Sequence, residues 1–420
     1  MRSTLFYIPH EILGLPLLGW GWLLILIALG FLGWTWSQYR AGRLKDEWSS
    51  GLPMWLVASG LVAFILPMVE SRWPDGEPIG LPVRGYGVLV LIGLFAGIGL
   101  TVWRGKQVGV SADRIMSLGF WMMLGGVAGA RIFYVVQYWE NFDYLPLPSR
   151  IISMLMLTEG GLVIYGGMIG GVISGALFCM RWRMPMLAMA DLITPGFLIG
   201  LAFGRLGCLM NGCCFGGVCE ASLPTIQFPQ GSLPYVAQVE NGRLFGLTVN
   251  AAGDTPVVSM VKPETFASKQ LKAEPGMTYE ETHRSLLPER GRDDPARAPA
   301  MVVSVAVGSH SIVLEPEQLP AWSQPVHPSQ IYSAIDAFLL CLLILMLQTW
   351  VLRDGQAFLA AIAFHGVARF TLELIRSDEA GQFGTSLTIA QWISLIGGIA
   401  AMACLLGTLR MPKHRAWTWR

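Results

Sequence analysis

What most constrains this chain is a repeated feature: apolar runs of the length that crosses a bilayer. A helix needs roughly 17–25 mostly apolar residues to span the hydrocarbon layer. Such runs recur at about 12–36, 53–70, 86–104, 115–139, 160–180, 190–208, 329–351, 356–376 and 387–409. Backbone surrounded by lipid must satisfy its own N–H and C=O groups, so runs of this length become helices. The expectation is an all-α polytopic membrane protein with about nine transmembrane helices. Composition agrees: 14% of the residues are charged, against about 25% in soluble domains. The first run is too long for a signal-peptide core, has only Arg2 ahead of it and lacks a small-residue cleavage site, so it counts as a helix. A formal net charge of +1 points to no nucleic-acid partner.

Basic residues give the orientation. Arg40, Arg43 and Lys45 follow the first run; Arg104, Lys106 and Arg114, then Arg181 and Arg183, then Arg353, occupy alternate connections, and Arg410, Lys413, Arg415 and Arg420 end the chain. The other connections hold fewer: Arg2, Arg72, Arg84, Arg150 and Arg376. The positive-inside rule then predicts the N-terminus outside and the C-terminus inside. Five segments follow from this: an N-terminal extension (1–78) with two extra helices, a helical core in two parts (79–216 and 327–410), an insertion between them (217–326), and a basic inner tail (411–420). The insertion alternates apolar and polar residues in VVSMV (257–261), MVVSVAV (301–307) and HSIVLEP (310–316). It reads as a small β-rich domain on the outer side, with a charged loop over 274–299.

Ionisable groups in the spans need a reason, because one at the bilayer centre costs at least about 2.5–3.5 kcal/mol. Arg131, Asp191, Arg205, Asp336, Arg369, Glu373 and Arg376 are such groups. The spacing of Arg369, Glu373 and Arg376, i, i+4 and then i+3, puts them on one helical face. One reading is an internal ion pair tying helices together. The other is a cationic site for an anionic headgroup, since the guanidinium fork binds phosphate through two hydrogen bonds. Arg205 and Arg369 fall near outer helix ends, where together they would clamp a lipid phosphate. The glycine-rich stretch GGLVIYGGMIGG (160–171) permits close helix approach, and its YGG, expected in mid-helix, would also expose backbone beside the Tyr165 hydroxyl as a site floor.

These segments resemble the prolipoprotein diacylglyceryl transferase family. GRLGCLMNGCCFG (204–216) is similar to its signature Gly-Arg-x-Gly-Asn-Phe-x-Asn-Gly-Glu-x-x-Gly. VRGYG (83–87), GGLVIYGGMIGG, HPSQIY (327–332) and ARFTLELIR (368–376) with the following Ser-Asp resemble further family segments in the same order. The resemblance covers about 80–410. It implies transfer of a diacylglyceryl group from phosphatidylglycerol to the lipobox cysteine of prolipoproteins, forming a thioether and releasing glycerol phosphate. The setting it implies is the outer leaflet of the bacterial cytoplasmic membrane. The partners would be phosphatidylglycerol and prolipoprotein signal peptides; no cofactor is implied, and nothing demands more than a monomer. Carried over by position, Arg205 and Arg369 would bind the lipid phosphate and Glu373 would orient Arg369. Tyr86 and Asn211 would hydrogen-bond headgroup or substrate, with His327, Gln330 and Arg376 completing the binding set.

The chain departs from the family at three positions: Tyr165 replaces a His proposed as base for the incoming thiol, Cys208 an Asn, and Cys213 a Glu. A phenol, with a reference pKa of about 10 against about 6.5 for imidazole, is the weaker base. Tyr165 is therefore read as a base only beside a cation, or else as a hydrogen-bond donor to the leaving phosphate. His327 and His365 are the other base candidates. Cys208, Cys213, Cys214 and Cys219 lie at the outer, oxidising face, where one or two disulfides are expected; Cys208–Cys213 with Cys214–Cys219 is one pairing, and spacing does not decide it. No repeated C-x2-C pair assigns a metal, although zinc or a redox thiol pair remain open for these residues. Two other functions fit parts of the chain: a paralogue that binds phosphatidylglycerol but uses another acceptor, and a membrane thiol oxidoreductase using the cysteines.

Overall fold

A computed structural model describes the chain except residues 1–3, 41–54, 57, 74, 145, 157–159, 220–223, 253–254, 286–300, 351–352, 377–380, 383, 411, 414 and 418–420. Eight helices concern the function: α1 (Trp22–Arg40), α2 (Gly85–Gln107), α3 (Ala112–Gln137), α4 (Ile164–Arg181), α5 (Met186–Asn211), α6 (Ser329–Trp350), α7 (Gln356–Glu373) and α8 (Ile389–Thr408). All but α7 are long and apolar enough to cross a membrane, seven among the described residues. The chain is thus a polytopic, mostly helical membrane protein with small sheets. In α7, His365, Arg369 and Glu373 lower the apolar content.

Two early spans differ from expectation. The first begins at Trp22 rather than near residue 12, because Glu11–Ile12 turns back to pair with Leu15–Pro16 in a short hairpin after strand β1 (Thr4–Pro9). The second, expected at 53–70, lies partly outside the described residues. Its described end is a π-helical turn at Leu61–Ile65 followed by a 3-10 turn at Leu66–Val69, where Pro67 removes one amide donor.

The chain folds as two compact units, Met1–Val88 with Gly207–Pro328, and Leu89–Leu206 with Ser329–Arg420. In the first, β1 pairs antiparallel with β3 (Pro78–Arg84), which also pairs with β2 (Ser71–Arg72). Gly80, opposite Pro9, has φ +123°, and a Cβ there would lie 2.0 Å from the Ile8 carbonyl oxygen. Only glycine fits that close approach. The insertion forms the hairpin β4 (Leu247–Ala252) and β5 (Thr255–Val261) and a sheet in which β7 (Met301–Val307) lies between β6 (Tyr279–Ser285) and β8 (His310–Leu314). Met301, Val303, Val305 and Val307 are fully buried while the residues between them are half-buried, as the period of two dictates. They pack with Tyr235, Val239, Leu247 and Tyr279. The expected charged loop falls largely on 286–299, outside the described residues.

The second unit is helical, and its glycines let helices touch. A Cβ on Gly170 would lie 2.2 Å from the Gly125 carbonyl oxygen, and one on Gly129 2.4 Å from that of Gly166, so α3 and α4 pack backbone to backbone. Gly366 on α7 approaches Gly398 on α8 in the same way. Phe95, Val136, Val172, Met346, Val367 and Ile396 point outward and are exposed, an arrangement that lipid accommodates and water does not.

Candidate active site

The candidate site is built on one face of α7. His365, Arg369 and Glu373 follow at intervals of four residues and stack along it. Arg369 donates from Nη1 to the Glu373 carboxylate, and Arg376 Nη1 lies 3.4 Å from the same oxygen. The other oxygen, Oε1, accepts from Thr388 Oγ1 at 3.2 Å. Glu373 is 3% exposed. One buried carboxylate therefore sits between two guanidiniums, and the trio keeps a net positive charge. Arg205 on α5 lies within electrostatic reach of His365 and Arg369 and adds a further cation. The His365 Nδ1 lies 3.9 Å from Asp336 Oδ2 on α6 and is buried without a hydrogen-bond partner among the described residues.

Of the two sequence readings, the structure shows the ion pair: Glu373 ties Arg369 and Arg376 to the start of α8. Thr388 was missed in the sequence, although the signal was present: Thr388 and Gln391 form a capping box that opens α8. The pairing of His365 with Asp336 was missed as well, because it joins two helices.

Other ionisable residues of the spans have structural partners. Arg131 donates to the carbonyl oxygens of Ser153, Met154, Gly160 and Gly161 and lies over the Tyr134 ring; it clamps the connection before α4. Tyr165 falls in the first turn of α4 and is half-buried, not mid-helix as expected, and the glycines after it serve the α3–α4 contact. Asp191 lies within α5 and accepts from the Gly355 and Phe358 amides at 2.7 and 2.8 Å, capping the start of α7. Pro195 has no amide to give the Asp191 carbonyl four residues earlier. Gln348 Nε2 donates to that carbonyl instead, and Gln348 Oε1 accepts from Arg104 Nη2 at 2.8 Å. Gln330 is buried near the start of α6.

A second group belongs to the first unit. Tyr86 lies against Gly207, where a Cβ would be 3.0 Å from its Cδ2. Past the end of α5, Gly212 has φ +75° and Cys214 φ +58°, and the Cys213 amide donates to the Cys208 carbonyl at 3.1 Å. This left-handed turn folds the chain back so that the Sγ atoms of Cys208, Cys213 and Cys214 lie within 4.8 Å of one another. Asn211 hydrogen-bonds Cys213, and thiol hydrogen bonds from Cys208 and Cys214 hold the Cys213 thiol well below the ordinary value. The loop is pinned: the Gly216 amide donates to the His327 carbonyl and the His327 amide to the Gly217 carbonyl, both at 3.1 Å, and the Cys219 amide donates to the Pro325 carbonyl at 3.0 Å. Where the sequence suggested one or two disulfides, all four cysteines are thiols. The turn gathers three of them, and its pairing with 325–327 fixes Cys219 separately.

A family model described as prolipoprotein diacylglyceryl transferase matches residues 77–407. A phosphatidylglycerol–prolipoprotein diacylglyceryl transferase of Rhodopirellula baltica is 35% identical over 443 residues, covering 96% of this chain and 89% of its own length. One from Deinococcus radiodurans is 38% identical over 155 residues, 34% of this chain and 46% of its own. Transferase 2 of Clostridium perfringens is 26% identical over 328 residues, 77% of this chain and 91% of its own.

Proposed function

The chain belongs to the prolipoprotein diacylglyceryl transferase family, and from that premise we propose how its residues perform the reaction. It is a multi-pass membrane transferase that moves the diacylglyceryl group of phosphatidylglycerol to prolipoproteins. Its acceptor is the lipobox cysteine thiol. The sulfur electron pair bonds to the glyceryl carbon that carries the phosphate ester, and the carbon–oxygen bond breaks. Glycerol phosphate leaves with that electron pair, and the thiol proton passes to a base.

The observation that carries this reading is the cationic face of α7. The lipid phosphate is a singly charged diester, and it leaves as a monoester with more negative charge. Guanidiniums fixed beside it therefore stabilise the transition state more than the bound lipid. Arg369 and Arg205 take the phosphate, and Glu373 and Arg376 hold Arg369 in orientation. His365 is the proton acceptor, because its Nδ1 is a buried nitrogen with unused hydrogen-bonding capacity beside the same arginines. Tyr165 donates a hydrogen bond to the phosphate. Tyr86, Asn211, His327 and Gln330 contact headgroup or peptide. The basic connections support an outer-facing N-terminus, an inner C-terminus and a site in the outer leaflet of the bacterial inner membrane.

The test is reconstitution in vesicles with a lipobox peptide. Phosphatidylglycerol vesicles should give a peptide heavier by one diacylglyceryl group together with free glycerol phosphate. Phosphatidylcholine vesicles should give neither, and Arg369→Ala should lower the rate by about 10²–10³-fold. Equal modification from both lipids would refute the headgroup reading.

A further inference from the structure

We propose that Cys208, Cys213 and Cys214 form a binding site for a soft, thiolate-seeking cation, with monovalent copper the ion that best suits three sulfur donors. The three Sγ atoms lie within 4.8 Å of one another. A metal–sulfur distance of about 2.3 Å puts the sulfurs of a three- or four-coordinate site about 3.8–4.0 Å apart. Rotations that close the cluster by at most about 1 Å complete the ring. Hard cations prefer oxygen donors, whereas soft thiolates select copper(I) and zinc. Copper(I) is satisfied by three sulfurs; zinc would add a water to complete four ligands.

The frame around the sulfurs is built before any ion arrives. Cys208 sits on the last turn of α5, a regular helix. The left-handed residues Gly212 and Cys214 reverse the chain, and the Cys213 amide bonds back to Cys208. Backbone pairing with 325–327 then holds the far side of the loop. Asn211 bonds to Cys213 and orients a donor from the second layer. On binding, each sulfur that still carries a proton gives it to solvent as it bonds to the metal, so affinity rises with pH. A disulfide is the competing fate, but it would use two of the three sulfurs and leave the third idle. Bound ion would cross-link the end of α5, which carries Asn211 and packs against Tyr86 at Gly207, to the loop that follows it, and so stiffen that corner.

The experiment uses the full chain, purified in detergent under reducing conditions. Copper(I) is supplied from a coloured chelator, and zinc from a zinc indicator in a parallel series. One ion per chain is expected, retained in Cys219→Ser and bound roughly 100-fold more weakly in Cys208→Ser and Cys213→Ser. A readout that needs no variant is alkylation: bound copper(I) should protect Cys208, Cys213 and Cys214 while Cys219 still reacts. Retention of one zinc but no copper(I), lost in the same variants, would uphold the site and reassign the ion. Failure to hold either ion against the chelators would overturn the proposal. So would binding undiminished in the variants, or a Cys208–Cys213 disulfide in chain taken from membranes without reductant.

Discussion

Consider Glu373→Gln. The substitution keeps the side-chain volume and an acceptor for Thr388, and removes only the charge. Glu373 is 3% exposed and bonds Arg369, with Arg376 at 3.4 Å. At 3.4 Å and an effective dielectric near 20, one such attraction is worth about 5 kcal/mol. Part of this is recovered because the carboxylate no longer loses its hydration, and breaking a buried pair typically costs about 3–5 kcal/mol net. The melting midpoint should therefore fall by about 5–10 °C. The transferase consequence is separate. Arg369 keeps its charge but loses its anchor, so kcat should fall about 100-fold while KM for phosphatidylglycerol stays within about threefold. Thermal melting in detergent and steady-state transfer to a lipobox peptide measure the two effects. A variant with an unchanged midpoint and unchanged kcat would refute the claim that this carboxylate organises the site.

Other expectations follow from single contacts. Arg369→Lys replaces the planar fork with a point charge, and the rate should drop about 10–100-fold in the same vesicle assay. Gly170→Val drives a side chain into the Gly125 carbonyl, 2.2 Å from the Cβ position, and should leave little folded protein by size-exclusion chromatography; Gly99→Ala, with nothing within 4 Å, should be neutral. Burial in the insertion raises the Tyr279 phenol, and likewise Tyr235. The unfolded chain therefore releases these protons first as pH climbs past about 10, and stability, fully present below that pH, falls by about 1.4 kcal/mol per phenol per pH unit. Alkaline denaturation followed by circular dichroism should be shallower in Tyr279→Phe, which otherwise costs about 1–3 kcal/mol by orphaning the Val239 carbonyl it bonds.

Much of the membrane architecture was legible because long apolar runs have few alternatives in lipid, and the face of Arg369, Glu373 and Arg376 was legible because helical spacing alone aligns it. The misses came from partners distant in sequence. Residues 4–9 pair with 80–84, which no local pattern announces, and the hairpin of 11–12 with 15–16 takes up the start of the apolar run, so the first helix begins later than the run does. Asp191 was seen as a costly charge, but its caps lie at Gly355 and Phe358, and Gln348 repairs the carbonyl that Pro195 leaves open. Tyr165 was placed mid-helix because the glycines around it hide where α4 begins. Cysteine spacing said nothing of the turn at Gly212 and Cys214 that sorts three thiols from the fourth. The family match supplied the reaction; the positions of His365, Asp336 and Thr388 around it needed the fold.

The central claim is that the cationic face of α7 performs diacylglyceryl transfer from phosphatidylglycerol. The most direct measurement is complementation of a bacterium depleted of its own diacylglyceryl transferase, read as growth and as the mass of a prolipoprotein. The wild-type chain should give rescue and a diacylglyceryl mass shift, Arg369→Ala neither at equal membrane abundance, and Tyr165→Phe retained growth at reduced rate. Rescue by Arg369→Ala, or no mass shift with wild-type protein inserted in the membrane, would contradict it.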